Sequence, residues 1–153
     1  MRTNDLGNIG NSRTAEQLVH MRETIGQGVC PFCDLDKKMN EVIREGKHWR
    51  AWFNPFPYPF HRAHLVLASV EHWTSLQEVP PEAWAEWGVL NAELVRTFNL
   101  AGGGMVMRFG DNSYNGGTLS HVHSHIQVPD KTGFAIAVFY KDERLSQLLG
   151  SPK

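Results

Sequence analysis

The sequence predicts an α+β domain with a mainly antiparallel sheet of about five strands, one long packed helix and short flanking helices. Short strand-like segments outnumber long helices, and they do not alternate regularly with helices as the strands of a parallel βαβ sheet would. The chain has 153 residues, of which 41% are hydrophobic, so it can form one compact core. We divide it into a flexible tail, residues 1–13, and a single domain, residues 14–153.

The first half of the domain contains two predicted helices and two predicted strands. A short helix over residues 14–25 is followed by glycine, and a second over 34–44 has apolar residues on one side. The aromatic-rich segment 48–53 and the apolar segment 63–68 are typical of strands. Three prolines interrupt the segment 54–62 between them, so we expect an ordered loop there.

One long helix dominates the second half, from Pro80 and Pro81 to about Phe98. Its apolar stripe predicts packing on a sheet and consists of Trp84, Trp87, Leu90, Leu94 and Phe98. The other predicted elements are strands over 105–109, 121–128 and 134–140, a polar glycine-rich loop over 111–118 and a closing helix over 141–149.

Composition argues against several classes of function. The formal net charge is −1, without a basic block, so we expect no nucleic-acid polymer as a partner. No apolar run reaches the roughly 20 residues that span a bilayer, and the polar N-terminus lacks the apolar core of a signal peptide. Two cysteines are too few for a secreted disulfide framework. We therefore predict a cytoplasmic protein with no membrane partner.

Three alternating histidines form the most informative motif. His121, His123 and His125 lie two residues apart on a predicted strand, so their rings project from one face. Imidazole is a good nucleophile toward phosphorus and a good leaving group, so it divides one displacement into two easier steps. His123 is flanked on both sides and is the natural nucleophile. The same spacing also suits three ligands on one metal, or an incidental surface strand.

The loop before these histidines has the composition of a phosphate-binding loop. Residues 115–118 are Asn-Gly-Gly-Thr, which offer unhindered backbone N–H groups and the hydroxyl of Thr118. Asn112 adds an amide donor. A glycine pair alone usually marks a hairpin turn, but Gly116 and Gly117 lie just ahead of the histidines. We therefore predict that they cradle a phosphate.

Cys30 and Cys33, separated by Pro-Phe, are typical of half a zinc site or of a redox pair. Zinc prefers four nitrogen or sulfur ligands, and the chain has no further cysteine, so two histidines must complete the site. A redox pair more often begins a helix in a βαβ fold, so zinc is favoured. The candidate histidines are His48, His61, His64, His72 and one of the three alternating histidines.

These motifs resemble those of the histidine triad superfamily over residues 29–129. Residues 121–128 resemble its signature, 112–118 its phosphate loop, 63–72 its strand ending in a histidine and 51–54 its ribose-binding strand. The Cys-x-x-Cys form is similar to that of the zinc-bearing branch, which is like the diadenosine-polyphosphate hydrolases and phosphorylases. One departure is Ser124, where the triad usually has an apolar residue.

The resemblance implies a structural zinc ion and a role for each matching residue. The implied zinc ligands are Cys30, Cys33, His72 and His121. The implied catalytic residues are the nucleophile His123, with His125, His64 and Thr118 orienting or polarising the phosphate. The implied nucleotide-binding residues are Asn54 for the ribose, Trp52 and Phe56 for the base, and Asn112, Gly116 and Gly117 for the phosphate.

We therefore expect a nucleotidyl hydrolase or transferase. It would act at the α-phosphate of a nucleoside phosphoramidate or dinucleoside polyphosphate, through a covalent nucleotidyl group on His123. The resemblance further implies an adenine or other purine nucleotide, Zn²⁺ as cofactor and a homodimer. Two alternatives stay open: a hydrolase with a metal bound by all three triad histidines, and a nucleotide-binding protein without catalysis.

Overall fold

The computed structural model describes residues 6–139. Its centre is a five-stranded antiparallel sheet with the strand order β1-β2-β3-β5-β4. The strands are β1 (Val42–Glu45), β2 (Trp49–Phe53), β3 (His61–Ser69), β4 (Gly104–Arg108) and β5 (His123–Pro129). The predicted fold class, α+β with an antiparallel sheet of about five strands, is therefore confirmed.

Three α-helices accompany the sheet in this part of the chain. They are α1 (Ala15–Gly26), α2 (Pro81–Thr97) and α3 (Asn112–Asn115), with 3-10 turns at Ile9–Asn11 and Leu76–Glu78. Thr14 caps α1, because its hydroxyl accepts a hydrogen bond from the Gln17 N–H at 3.0 Å. Pro81 begins α2, the predicted long helix, at a position where the missing N–H costs nothing. Between residues 6 and 139, no helix has the length and apolar character needed to cross a membrane.

The main core lies between α2 and one face of the sheet. Its buried side chains are Trp49, Ala51, Leu65, Leu67, Trp73, Val79, Ala83, Leu90, Leu94, Val122, Ile126 and Val128. Ser124, which is 1% exposed, shares this face. Its hydroxyl accepts a hydrogen bond from the Trp87 indole at 2.8 Å. This polar departure from the triad pattern is therefore satisfied by a partner on α2.

The opposite face of the sheet carries His123 and His125. Side chains alternate between faces along a strand, so these two rings lie on the other side from Ser124. Ala68 and Val66 of β3 pair with them in register. This face is covered by α1 and the Cys30–Cys33 knuckle. Two smaller apolar clusters form there, one around Met21, Ile25 and Cys30 and one around Trp52, Val66 and Ala68.

The helix predicted over residues 34–44 is wrong. The backbone N–H groups of Met39 and Asn40 donate to the Asp36 carbonyl at 3.0 and 2.7 Å, which forms a single turn. Val42–Glu45 is then the edge strand β1, with Val42 opposite Trp52. The open edge of β2 offers backbone partners and a packing surface, and these outweigh the local helix propensity.

The strand predicted over residues 134–140 is not formed up to residue 139, where the description ends. Phe134, Ile136 and Phe139 are 85%, 39% and 49% exposed, so the alternation does not mark a buried face. The fifth strand is β1 instead. The closing helix predicted over 141–149 lies outside the described residues.

The flexible tail predicted over residues 1–13 does not extend to residues 6–13, which pack on the domain. Leu6 is 2% exposed, and the Asn8 N–H donates to the Thr118 carbonyl at 2.9 Å. A Cβ atom on Gly7 would lie 2.0 Å from the same carbonyl oxygen, so only glycine allows this approach. Residues 1–5 lie outside the described residues.

Candidate active site and metal centre

A cleft opens on the sheet face that carries His123. It is bordered by α1, the cysteine knuckle, the loop after β2 and the loop after α3. Its lining includes Gln17, His20, Met21, Phe32, Trp52, Asn54, Phe56, Tyr58, Arg108, Gly116, Gly117, Thr118, His123 and His125. The cleft thus collects every predicted catalytic and nucleotide-binding residue except His64 and Asn112, and no described Asp or Glu lines it.

The ring of His123 is held in one tautomer. Its Nδ1 lies 2.6 Å from the backbone carbonyl oxygen of His121. Because a carbonyl can only accept, Nδ1 carries the proton, and Nε2 keeps the lone pair. The edge of Phe32 packs against the ring, with centroids 5.1 Å apart. The tautomer therefore leaves the lone pair on Nε2, for which no hydrogen-bond partner is found among residues 6–139.

His64 and His125 form a hydrogen-bonded pair behind the cleft. The His64 Nε2 lies 2.9 Å from the His125 Nδ1. The backbone N–H of Tyr58 donates to the His64 Nδ1 at 3.2 Å, so the proton of His64 sits on Nε2 and is donated to His125. His125 then carries its own proton on Nε2. No described residue accepts that proton, so His125 has an N–H available for a ligand.

Burial keeps these three rings neutral at pH 7. Desolvation lowers the pKa of His64 to about 3 and that of His123 to about 4, and it lowers the pKa of His125 well below its ordinary range. The positive charge of Arg108 lowers all three pKa values further. A neutral imidazole is the form that attacks phosphorus.

The predicted metal ligands come together at one end of the sheet. One donor atom from each of Cys30, Cys33, His72 and His121 lies within 4.8 Å of the other three. The His121 Nδ1 is 3.5 Å from the Cys30 sulfur, 3.7 Å from the Cys33 sulfur and 3.2 Å from the His72 Nδ1. These four side chains can hold a metal ion.

Neighbouring groups prepare His121 for this role. Its Nε2 donates to the Ser69 carbonyl at 2.9 Å, so the lone pair on Nδ1 points toward the sulfur atoms. Burial and the adjacent Cys30 thiol raise the pKa of Cys33 to about 12. Two thiolates are unfavourable here without a cation, so metal binding must release a proton.

The glycine loop is shaped by the short helix α3. Gly116 ends this helix with a left-handed φ of 64°. A Cβ atom at this position would lie 2.7 and 2.8 Å from the carbonyl oxygens of Val138 and Phe139. The Asn115 side chain accepts a hydrogen bond from the Gly117 N–H at 2.6 Å. Residue 116 must therefore be glycine for the loop to turn back toward His123.

The N-terminal segment holds the same loop from behind. The Asn11 amide donates to the carbonyls of Gly117 and Asn112, at 2.8 and 3.0 Å. The Arg13 guanidinium donates to the Gly116 carbonyl at 2.8 Å. We call residues 8–13 the N-terminal clamp. In a trans peptide the N–H points opposite to the carbonyl, so the N–H of Thr118 is directed away from the clamp.

Comparisons with known proteins identify the fold. No protein-family model matches the chain, and no curated protein matches it in sequence. A HIT family hydrolase from Clostridium thermocellum is 18% identical, with a TM-score of 0.56 over 69% of this chain and 95% of that one. A Zn-bound histidine triad family protein from Mycobacterium smegmatis is 21% identical, with a TM-score of 0.53 over 80% and 97%.

A third structure, Plasmodium falciparum diadenosine triphosphate hydrolase in complex with Cyclomarin A, is 21% identical. Its TM-score is 0.50, over 65% of each chain. The chain has the histidine triad fold. Two of these neighbours place this fold in hydrolases and one places it in a zinc-bound protein.

Within this histidine triad fold the three alternating histidines have different contacts. His121 belongs to the Cys-Cys-His-His group, the His123 Nδ1 is bound to a carbonyl, and the His125 Nδ1 is bound to His64. Among residues 6–139, no possible metal group includes His123 or His125. The alternative with three histidines on one metal therefore has no support in the geometry.

The residues predicted for the ribose and base border the cleft. The Asn54 side-chain oxygen accepts from the Phe56 N–H at 2.9 Å. Trp52 is fully buried, and its indole N–H has no partner among the described residues. Asn112 differs from these residues, because it does not line the cleft. Its side-chain amide donates to the Ser120 hydroxyl at 2.9 Å. Asn112 therefore contacts the loop from outside the cleft, and its predicted role in nucleotide binding stays a prediction.

Several residues of the site were not predicted. Asn11 and Arg13 lie in a polar, glycine-bearing segment with no recognisable motif. Tyr58 acts through its backbone N–H, which no side-chain pattern reveals. Arg108 had one signal, since it is the only charged residue in the otherwise apolar stretch 105–109.

Proposed function

We propose that this chain is a zinc-containing member of the histidine triad family that hydrolyses or transfers nucleotidyl groups. Its substrate would be a nucleoside phosphoramidate or a dinucleoside polyphosphate, with adenine or another purine as the base. One observation carries the proposal. A buried neutral imidazole, His123, lies in the cleft beside a glycine loop and keeps Nε2 free.

The reaction has two displacements at the α-phosphorus. In the first, the lone pair of the His123 Nε2 forms a bond to phosphorus, and the bond from phosphorus to the leaving group breaks. The leaving group takes that electron pair and, where its basicity requires it, a proton from solvent water. In the second, water or inorganic phosphate attacks the same phosphorus, loses a proton, and the N–P bond breaks. His123 returns to its starting state.

Other groups of the cleft stabilise the charge on the phosphate oxygens. The His125 Nε2–H is a candidate donor, and His64 fixes its tautomer. The N–H and hydroxyl of Thr118 are further candidate donors, whereas the Gly117 N–H already donates to the Asn115 side chain. Asn54 is the candidate for the ribose, and Trp52 and Phe56 are candidates for the base. The diadenosine triphosphate hydrolase among the structural neighbours supports a nucleotide substrate.

Zinc is the metal that fits the four-residue group best. Ideal tetrahedral zinc with thiolate and imidazole ligands requires donor-to-donor distances of about 3.3–3.8 Å. The measured separations of 3.1–3.7 Å fall close to this range. Bound zinc would be structural, fixing His121 and, through the His121 carbonyl, the ring of His123. The Zn-bound neighbour supports this assignment.

The test is trapping of the covalent intermediate. Protein is mixed with an adenosine phosphoramidate or diadenosine polyphosphate and quenched in alkaline denaturant, because an N–P bond to histidine is acid-labile. The intact mass is then measured. We expect one added nucleotidyl group on the wild type and none on His123→Ala. His48→Ala is the matched control, since His48 stacks on Trp73 outside the cleft, and it should form the adduct normally.

Other outcomes contradict the proposal in different ways. Turnover without an adduct, in both wild type and His123→Ala, would refute the nucleophile. Nucleotide binding without turnover of either substrate class would indicate a binding protein without catalysis. The homodimer and the cytoplasmic location remain predictions, which light scattering and cell fractionation would test.

A further inference from the structure

Arg108 is a buried cation beside the proposed nucleophile. It ends β4, directly opposite His123 in the strand register, and is 4% exposed. Its side chain runs along the glycine loop, where a Cβ atom on Gly117 would lie 3.4 Å from the Arg108 Cδ. Arg108 lines the cleft together with that loop. The guanidinium therefore lies beside the loop and the histidine that we propose for the phosphate.

The guanidinium is only partly compensated by the protein. One terminal nitrogen, Nη1, donates to the Asn115 carbonyl, and the ring of Phe139 lies 4.9 Å from the guanidinium carbon. The other terminal nitrogen, Nη2, is buried and has no hydrogen-bond partner within residues 6–139. No carboxylate of these residues forms an ion pair with it. A buried charge without a partner is unfavourable, and a bound anion would compensate it.

The surroundings favour an anion of high charge. No described carboxylate lines the cleft. A guanidinium fork matches the geometry of phosphate oxygens. Phosphate is therefore the chemistry that suits this position.

We propose that Arg108 is a phosphate-binding residue, whose free Nη2 donates to a non-bridging oxygen of the nucleotide phosphate attacked by His123. This inference rests on the proposed function and adds a residue to it. Because Nη1 holds the Asn115 carbonyl, one guanidinium joins the glycine loop to the bound phosphate. The same contact opposes the negative charge that develops on the phosphate oxygens during transfer.

Arg13 provides a matched control beside the same loop. Its guanidinium donates to the carbonyls of Asn11, Gly116 and Val138, so it holds the loop through the backbone. Arg13 and Arg108 are thus two arginines near one loop, of which Arg108 has a free buried donor. Loss of Arg13 should therefore lower the affinity for any ligand that contacts the loop. Loss of Arg108 should lower the affinity only for ligands that carry a phosphate.

The experiment compares the binding of AMP and adenosine by calorimetry to zinc-loaded protein. Arg108→Met should weaken AMP about 10- to 100-fold, the value of a hydrogen bond between charged groups, and change adenosine less than about twofold. Arg108→Lys keeps the positive charge but lacks the planar guanidinium group with its fixed donors. Its affinity for AMP should therefore lie between that of the wild type and that of Arg108→Met. Arg13→Met should weaken both ligands by a similar factor.

The outcomes separate this inference from the proposed function. Equal loss of AMP and adenosine in Arg108→Met would indicate a structural role and overturn the inference, while leaving the enzyme intact. If Arg108→Met does not fold, Arg108→Lys decides, and unchanged AMP affinity or equal loss of both ligands would refute it. A wild type that binds none of AMP, GMP and inorganic phosphate would refute the proposed function, and the inference with it.

Discussion

Replacement of Asn11 tests whether the N-terminal clamp holds the glycine loop in place. Asn11 is 8% exposed, and its amide nitrogen donates to two carbonyl oxygens, those of Asn112 and Gly117. Asn11→Ala removes both buried hydrogen bonds. Asn11→Asp keeps the shape of the side chain but turns an acceptor toward the same two oxygens.

The expected loss of stability follows from these two hydrogen bonds. Each contributes about 1 kcal/mol net, so Asn11→Ala should lower the free energy of unfolding by about 2 kcal/mol. For a domain of this size that corresponds to a fall in Tm of about 4–8 °C. Asn11→Asp should cost more, because a carboxylate facing two carbonyl oxygens adds repulsion to the lost bonds.

Thermal and urea denaturation of zinc-loaded protein measure this order. Nucleotide affinity should fall with stability, because the freed carbonyls let the loop relax away from His123. Asn8→Ala is the control, since the exposed Asn8 side chain accepts only from the Gly10 N–H at 3.0 Å. Its contact with Thr118 uses the backbone, so the loss should stay below about 1 kcal/mol.

The order of the two Asn11 variants decides whether the reasoning holds. If packing were the reason for Asn11, the isosteric Asn11→Asp would be milder than Asn11→Ala. That result, or an Asn11→Ala protein as stable as the wild type, would show that the clamp does not hold the loop.

Three further predictions test the metal, the buried histidines and Ser124. His72→Ala should reduce bound zinc, measured by mass spectrometry of the metal, from one per chain toward none, while His48→Ala should keep one. Burial lowers the pKa of His64 to about 3. Between pH 6.5 and 3 this histidine is therefore protonated in the unfolded chain and neutral in the folded chain. The free energy of unfolding should therefore decrease as the pH is lowered through that window, by up to about 1.4 kcal/mol per pH unit for this histidine. His64→Gln should make the stability measured by urea titration depend less steeply on pH. An unchanged slope would contradict this prediction. A double-mutant cycle of Ser124→Ala with Trp87→Phe should give a coupling of about 1 kcal/mol in denaturant titrations, whereas additive losses would show that the 2.8 Å bond contributes nothing.

Most of the fold was predictable because its signals are local. The Trp84-to-Phe98 stripe of α2, the proline-rich loop and the strand segments of β2, β3, β4 and β5 each lie in a short window of sequence. The errors occurred where a distant partner decides. Residues 42–45 join the sheet because β2 has a free edge, and nothing within residues 34–44 reveals that edge. The exposed residues 134–139 alternate without a partner strand.

The candidate site divides in the same way. The side chains that we propose for the chemistry sit in compact motifs, Cys-x-x-Cys and His-x-His-x-His, so their spacing singles them out, while their individual roles follow from the resemblance and remain predictions. The partners that fix them are backbone groups or remote side chains. The His121 carbonyl sets the tautomer of His123, and the Tyr58 N–H sets that of His64. Both are backbone groups, so the pattern of side chains in the sequence does not reveal either contact.

The glycine loop is the clearest case, because its partners lie about a hundred residues away. Asn11 is separated from Asn112 by 101 residues and from Gly117 by 106. Gly-Gly specifies that the chain can turn, but not which way its N–H groups face. That direction depends on which groups take up the carbonyls, and here the N-terminal clamp and Arg108 do so. A segment that looks like a tail in sequence therefore contacts the loop that we propose as the phosphate site, and residues chosen by motif alone would miss it.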